Sequence, residues 1–177
     1  MKTINIQSNK SIQNTFEFCL GNGTRVRFTS KRYASAFIAE TNRYLTECLV
    51  ILNKTYSDAH IEYRNFWLIA ANTHGGTKTN YLGLLAKVKN NLEAASMALD
   101  KFNGTFNRSQ DPFFAFIDLR KVAQFTAEAL QLLHQFYKKR NYTANYYNCL
   151  VLQKRCLLVI ENMQNWQPDA ALLKYST

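Results

Sequence analysis

Chain-breaking residues are scarce in this sequence. Of 177 residues, 6 are glycine and 2 are proline, too few for the turn every ten residues or so that a β-sandwich requires. Collagen-like and linker-like chains are excluded on the same ground. Histidine is equally sparse, with 3 residues, and the 4 cysteines contain no C-x-x-C pair. A zinc site needs two His or Cys at close ligand spacing, and no such pair occurs. A di-iron bundle needs Glu-x-x-His on two helices, but His60, His74 and His134 are preceded at that offset by Ser57, Ala71 and Gln131. No metal and no cofactor is therefore expected.

Long apolar runs are missing as well. The longest, Cys149 to Leu152 and Cys156 to Ile160, fall far short of the roughly 18 residues that span a bilayer. Met1 to Lys10 has no apolar segment of the secretory kind. The expectation is a cytoplasmic protein, or a virion component if viral, without a membrane partner. In a reducing compartment Cys19, Cys48, Cys149 and Cys156 read as thiols, with Cys149 and Cys156 seven apart on one helical face. The N-x-S/T triplets that begin at Asn22, Asn53, Asn103, Asn107 and Asn141 follow from an asparagine-rich chain and are not read as glycosylated.

What the chain does have is apolar surface and positive charge. Hydrophobic residues make up 47%, including 12 Phe, 10 Tyr and 2 Trp, which is ample to bury against the entropy of ordering. Disorder is excluded and one folded unit is expected at this length. The net charge is +10.

The first thirty residues carry a period of two. Phe16, Phe18 and Leu20 alternate with Glu17 and Cys19, Gly21-Asn22-Gly23 intervenes, and Thr24, Val26 and Phe28 alternate with Arg25 and Arg27. This predicts a β-hairpin, with Ile4 and Ile6 as a third, shorter strand. An isolated two-stranded ribbon is marginal in water, so its Phe-rich face needs cover.

From Ser30 the period changes to that of a helix. Tyr33, Phe37, Thr41, Tyr44, Cys48, Ile51, Thr55, Ala59, Tyr63, Phe66 and Ala70 form one stripe, a first helix of roughly 60 Å, capped by Thr29 or Ser30 and ended by Asn72-Thr73-His74-Gly75-Gly76. A second helix is predicted from Asn80 to Phe102, with Leu82, Leu85, Lys89, Leu92, Ala95, Leu99 and Phe102 on its stripe and Asn103-Gly104 as its stop. Asp111-Pro112 opens a third, with Leu119, Val122, Thr126, Ala129, Leu133 and Phe136 inward. Lys138-Lys139-Arg140-Asn141 suits a helix carboxyl end, although one bent helix from 112 to 166 is the alternative. Tyr146, Cys149, Gln153, Cys156, Ile160, Met163 and Trp166 make the fourth stripe, which stops before Pro168, and Asp169 to Tyr175 add a short turn.

The fold class predicted is mainly all-α: an antiparallel four-helix bundle with one overlong first helix and a small N-terminal β-hairpin. The organisation expected is a hairpin arm over 1–30, a bundle over 31–166 and a short tail or helical turn over 167–177. Because the first helix exceeds the second, part of its stripe must be covered by the hairpin, by the third and fourth helices in line, or by another copy.

Motifs for chemistry are not found. Thr73-His74-Gly75-Gly76-Thr77-Lys78-Thr79 resembles a phosphate cradle in composition but lacks the P-loop order and follows a helix. There is no G-x-S-x-G, and Asp118, Glu128 and Glu161 are widely spread. Charge gives the candidate binding residues. Arg25, Arg27, Lys31 and Arg32 crowd the hairpin exit and the start of the first helix, where cations oppose the helix dipole unless an anion is near. Lys138, Lys139 and Arg140, with Tyr142 and Tyr146, interleave cations and rings as single-stranded nucleic acid requires; the tyrosines equally suit the capping of a bundle end.

The function expected is non-catalytic: a structural or assembly protein that forms a homo-oligomer or docks into a larger protein assembly, with a composition compatible with a virion or mobile-element component. The alternative is a nucleic-acid-binding accessory protein that tracks the backbone without sequence preference.

Overall fold

The structure, a computed structural model, describes residues 15–20, 22–108 and 112–176. The strand expected at Ile4 and Ile6, Gly21 of the hairpin loop and the Asp111 cap lie outside the described residues. The hairpin pairs β1 (Phe16–Cys19) with β2 (Arg25–Phe28) antiparallel, with Phe16 opposite Phe28 and Phe18 opposite Val26. Its loop turns through Gly23 at φ 87°, a conformation open to glycine because it has no Cβ.

Four long helices follow: α1 (Lys31–Ala71), α2 (Gly76–Arg108), α3 (Pro112–Lys139) and α4 (Thr143–Asn165), and a single turn, α5 (Ala170–Leu173), ends the chain. The molecule is a helical bundle with a small two-stranded sheet. Its central member is α3, which packs along both α2 and α4, while α1 lies against all three. The third and fourth helices are separate. Asn141 between them takes φ 60°, which asparagine tolerates better than most residues, and Tyr142 N–H donates to the Tyr137 carbonyl at 3.0 Å.

The buried face of α1 runs Thr41, Leu45, Cys48, Leu52, Thr55, Ala59, Glu62, Phe66. Its steps of four and three repeat every seven residues, the period that keeps a seam against a neighbouring helix. Leu45, Leu52 and Glu62 take the inward places; Tyr44 and Tyr63 flank them half-buried, and Ile51 faces outward. The buried threonines are satisfied locally: the hydroxyls of Thr41, Thr55 and Thr126 each donate to the carbonyl four residues back at 2.8 Å.

In α2 the sequence expectation is corrected at both ends and in register. Gly75, at φ 73°, absorbs the chain reversal, so the helix opens at Gly76 instead of Asn80. Gly104 does not stop it. Phe102 and Phe106 stack at 5.1 Å on either side of that glycine, and their packing outweighs a propensity penalty of about 1 kcal/mol. Tyr81 and Val88 turn inward while Leu82 and Lys89 face water. The Tyr81 ring, edge-on to Phe66 at 6.0 Å and to Phe136 at 5.1 Å, sets that rotation.

The excess length of α1 is covered within the chain. Ala34 and Phe37 join Phe18, Leu20, Val26 and Phe28 in a second small core. Tyr33 stacks on Tyr175 at 4.0 Å, and Phe28 bridges to Ser176. Trp166 belongs to both cores, 6.3 Å from Phe37, 5.2 Å from Tyr44 and 5.6 Å from Phe116. The hairpin, the end of α4 and the C-terminal turn thus close one end of the bundle.

Candidate functional site

The nine candidate residues fall into two groups at opposite ends of α1, a helix of about 60 Å. At the hairpin end, Arg25 and Arg27 stand on the same strand face as Glu17, and both pair with it, at 3.2 and 3.1 Å. These pairs are largely exposed and contribute little to stability, but they halve the free charge of that face. Lys31 borders a groove with Phe16, Glu17 and Phe18, and Arg32 is exposed beside it.

At the other end, the α1–α2 and α3–α4 connections come together, as the contact among Phe66, Tyr81 and Phe136 requires. Lys138 and Lys139 occupy the last turn of α3. The Arg140 guanidinium lies over the Tyr81 ring at 5.2 Å, a cation–π contact. Lys139 and Arg140 line a cavity of about 410 Å³ with Thr77, Asn80, Tyr81 and Gln135. The tyrosines divide from this group. Tyr142 meets the edge of Tyr137 at 6.0 Å, and Tyr146 packs on His134 at 5.9 Å and on Tyr147 at 5.0 Å. Burial and the nearby Lys138 charge hold the His134 imidazole below its ordinary pKa.

Sequence reasoning missed two features here. The first is the cavity itself: Thr77 of its wall sits in a stretch expected to be a loop, and Tyr81 is absent from the inward stripe predicted for the second helix. The second is a distribution of charge. Residues 63–92 and 129–160, the two segments that contain these connections, hold nine Lys and Arg and no Asp or Glu. Counting acids by segment would have found it. Of the four acids that bound these segments, Glu62, Glu93, Glu128 and Glu161, only Glu62 is inside: it is 3% exposed, and its carboxylate accepts from the side-chain amides of Asn145 at 3.0 Å and Asn148 at 2.6 Å.

Among the described residues, no group of three or more His, Cys, Asp or Glu is placed to hold a metal, and no helix is long and apolar enough to cross a membrane. No protein-family model, no curated protein and no solved structure matches the chain.

All four cysteines are free thiols, and Cys48, Cys149 and Cys156 are buried. Burial raises the pKa of each; Cys156 is pushed up to about 12, and the Glu62 charge adds to the effect at Cys149. A thiol, unlike a thiolate, is a poor nucleophile. An aromatic disulfide reagent at pH 8 should therefore label one thiol of the native protein, Cys19, and reach the other three only on unfolding. Fast reaction of all four in the native state would contradict the packing described.

Proposed function

We propose that this chain is a non-catalytic assembly subunit, a basic helical bundle that associates with further copies of itself through the outward face of α4. One observation carries the reading: α4 bears large apolar side chains on its outward face, around the single charge of Lys154, as well as on its inner one. Cys149, Leu152, Cys156, Val159 and Met163 face the core, while Tyr147, Val151 and Leu158 stand 59%, 53% and 55% exposed on the opposite face. Large apolar side chains grouped on an exposed helix face mark an interaction surface. A second copy is the partner favoured, because most soluble oligomers repeat one chain about a symmetry axis.

Light scattering tests this. The wild type should have a mass that is a multiple of 20.5 kDa, and a Val151→Asp, Leu158→Asp variant should fall to a single chain with unchanged helix content. A wild type of single-chain mass at high concentration would overturn the proposal.

The nine cations in two acid-free segments favour a second reading, contact with nucleic-acid phosphates. Binding of single strands should then weaken steeply between roughly 50 and 200 mM salt. Lys139→Glu with Arg140→Glu should remove most of it, whereas Arg25 and Arg27, already held by Glu17, should matter less. Absence of binding at 50 mM salt would remove this reading.

A further inference from the structure

We propose that the cavity between the start of α2 and the end of α3 binds an organic phosphate monoester. Its mouth carries two cations, Lys139 and Arg140, and no acidic residue lines it. Neither cation has an ion-pair partner among the described residues. Two free positive charges match the two negative charges of a monoester. The guanidinium has a partner to rest on at the cavity, the Tyr81 ring 5.2 Å beneath it. A planar fork placed there presents two parallel N–H donors to phosphate oxygens, which an ammonium does not. Thr77, Asn80 and Gln135 add neutral donors at the wall.

The size of the cavity argues for an organic ligand. At about 410 Å³ it lies within the range of small-molecule sites, which combine a few polar anchors with an apolar lining. Leu84 and Phe136 supply that lining beside the cations. The phosphate would sit between Lys139 and Arg140 with its attached group against those side chains. A free mononucleotide and the phosphorylated end of a strand carry the same chemistry.

The inference shares Lys139 and Arg140 with the nucleic-acid reading and is separated from it by choice of probe. Calorimetric titration of the full chain at 50 mM salt would use inorganic phosphate, adenosine 5′-monophosphate, and a ten-nucleotide single strand with and without a 5′-phosphate. The monophosphate, the phosphorylated strand, or both should bind, and Arg140→Lys should weaken binding about tenfold although the charge is kept. Lys174→Gln, an exposed residue at the hairpin end of the molecule, should leave affinity unchanged. Equal binding of the two strands, without binding of the monophosphate, would overturn the pocket and keep backbone tracking. Binding of the monophosphate but of neither strand would do the reverse. Failure of every probe, or binding that Arg140→Lys leaves untouched, would overturn the pocket outright.

Discussion

Phe66→Ala should destabilise the protein by about 3–5 kcal/mol, the range for truncating a buried aromatic. Phe66 is fully buried at the point where three helices meet: its ring centroid lies 4.1 Å from Phe136 on α3 and 6.0 Å from Tyr81 on α2. Truncation removes transfer free energy and leaves a cavity that the two neighbouring rings, Tyr81 and Phe136, cannot collapse into without losing their edge-to-face contact with each other. The shift in the urea unfolding midpoint, at unchanged slope, measures the effect. Val50→Ala, on the exposed outer face of α1, should change stability by less than about 0.5 kcal/mol. A loss below about 1 kcal/mol for Phe66→Ala would mean that this seam does not hold the helices together.

Because Tyr81 is both a wall of the cationic cavity and a neighbour of Phe66, the loss of packing should reach the surface. The Arg140 guanidinium rests on Tyr81, so a Tyr81 ring freed to rotate would release the fork. This links the core of the bundle to whatever its basic end contacts.

Much of this architecture is legible in the sequence because it depends on period alone. Phe16 to Phe28 alternate with charged residues and become a hairpin; Leu119, Val122, Thr126, Ala129, Leu133 and Phe136 step by three and four and are all buried. Where two adjacent residues compete for the core, period is no longer sufficient. Leu82 fits a stripe as well as Tyr81 does, and only the rings waiting on α1 and α3 choose between them. Gly104 reads as a stop on propensity and is overridden by two phenylalanines. The basic-aromatic candidates were identifiable one by one, but not their division between an ion-paired hairpin and an open cavity, which requires knowing that Glu17 lies opposite Arg27 and that Arg140 lies over Tyr81.

The overlong first helix also changes meaning once folded. From sequence, its unmatched stripe is a reason to expect another copy. In the structure Phe37 is covered by the hairpin and Trp166, and Tyr33 by Tyr175, so that region needs no partner. The argument for association moves to α4, whose outward Tyr147, Val151 and Leu158 no described residue covers.

Glu62→Gln should lower stability by about 1.5–3 kcal/mol, the worth of hydrogen bonds to a charged group. The size is set by the surroundings. Glu62 faces α4 from a buried position on α1, and its two carboxylate oxygens each accept one amide N–H, from Asn145 and from Asn148. A glutamine at this site keeps one acceptor and turns an N–H₂ toward the other asparagine, so one donor loses its partner and a second donor faces it. Asn148 is exposed and can turn to water, so the loss falls on the half-buried Asn145 and on the buried side chain at position 62 itself. The backbone carbonyl of Glu62 is unaffected and continues to accept from the Tyr137 hydroxyl at 3.1 Å, so α3 should stay in place while α4 loosens. Asn148→Ala in the Glu62→Gln background should then add much less than it does alone, since the two residues share one interaction. Urea unfolding of the four chains in that cycle provides the measurement, and strict additivity would show that the carboxylate is not what joins α1 to α4.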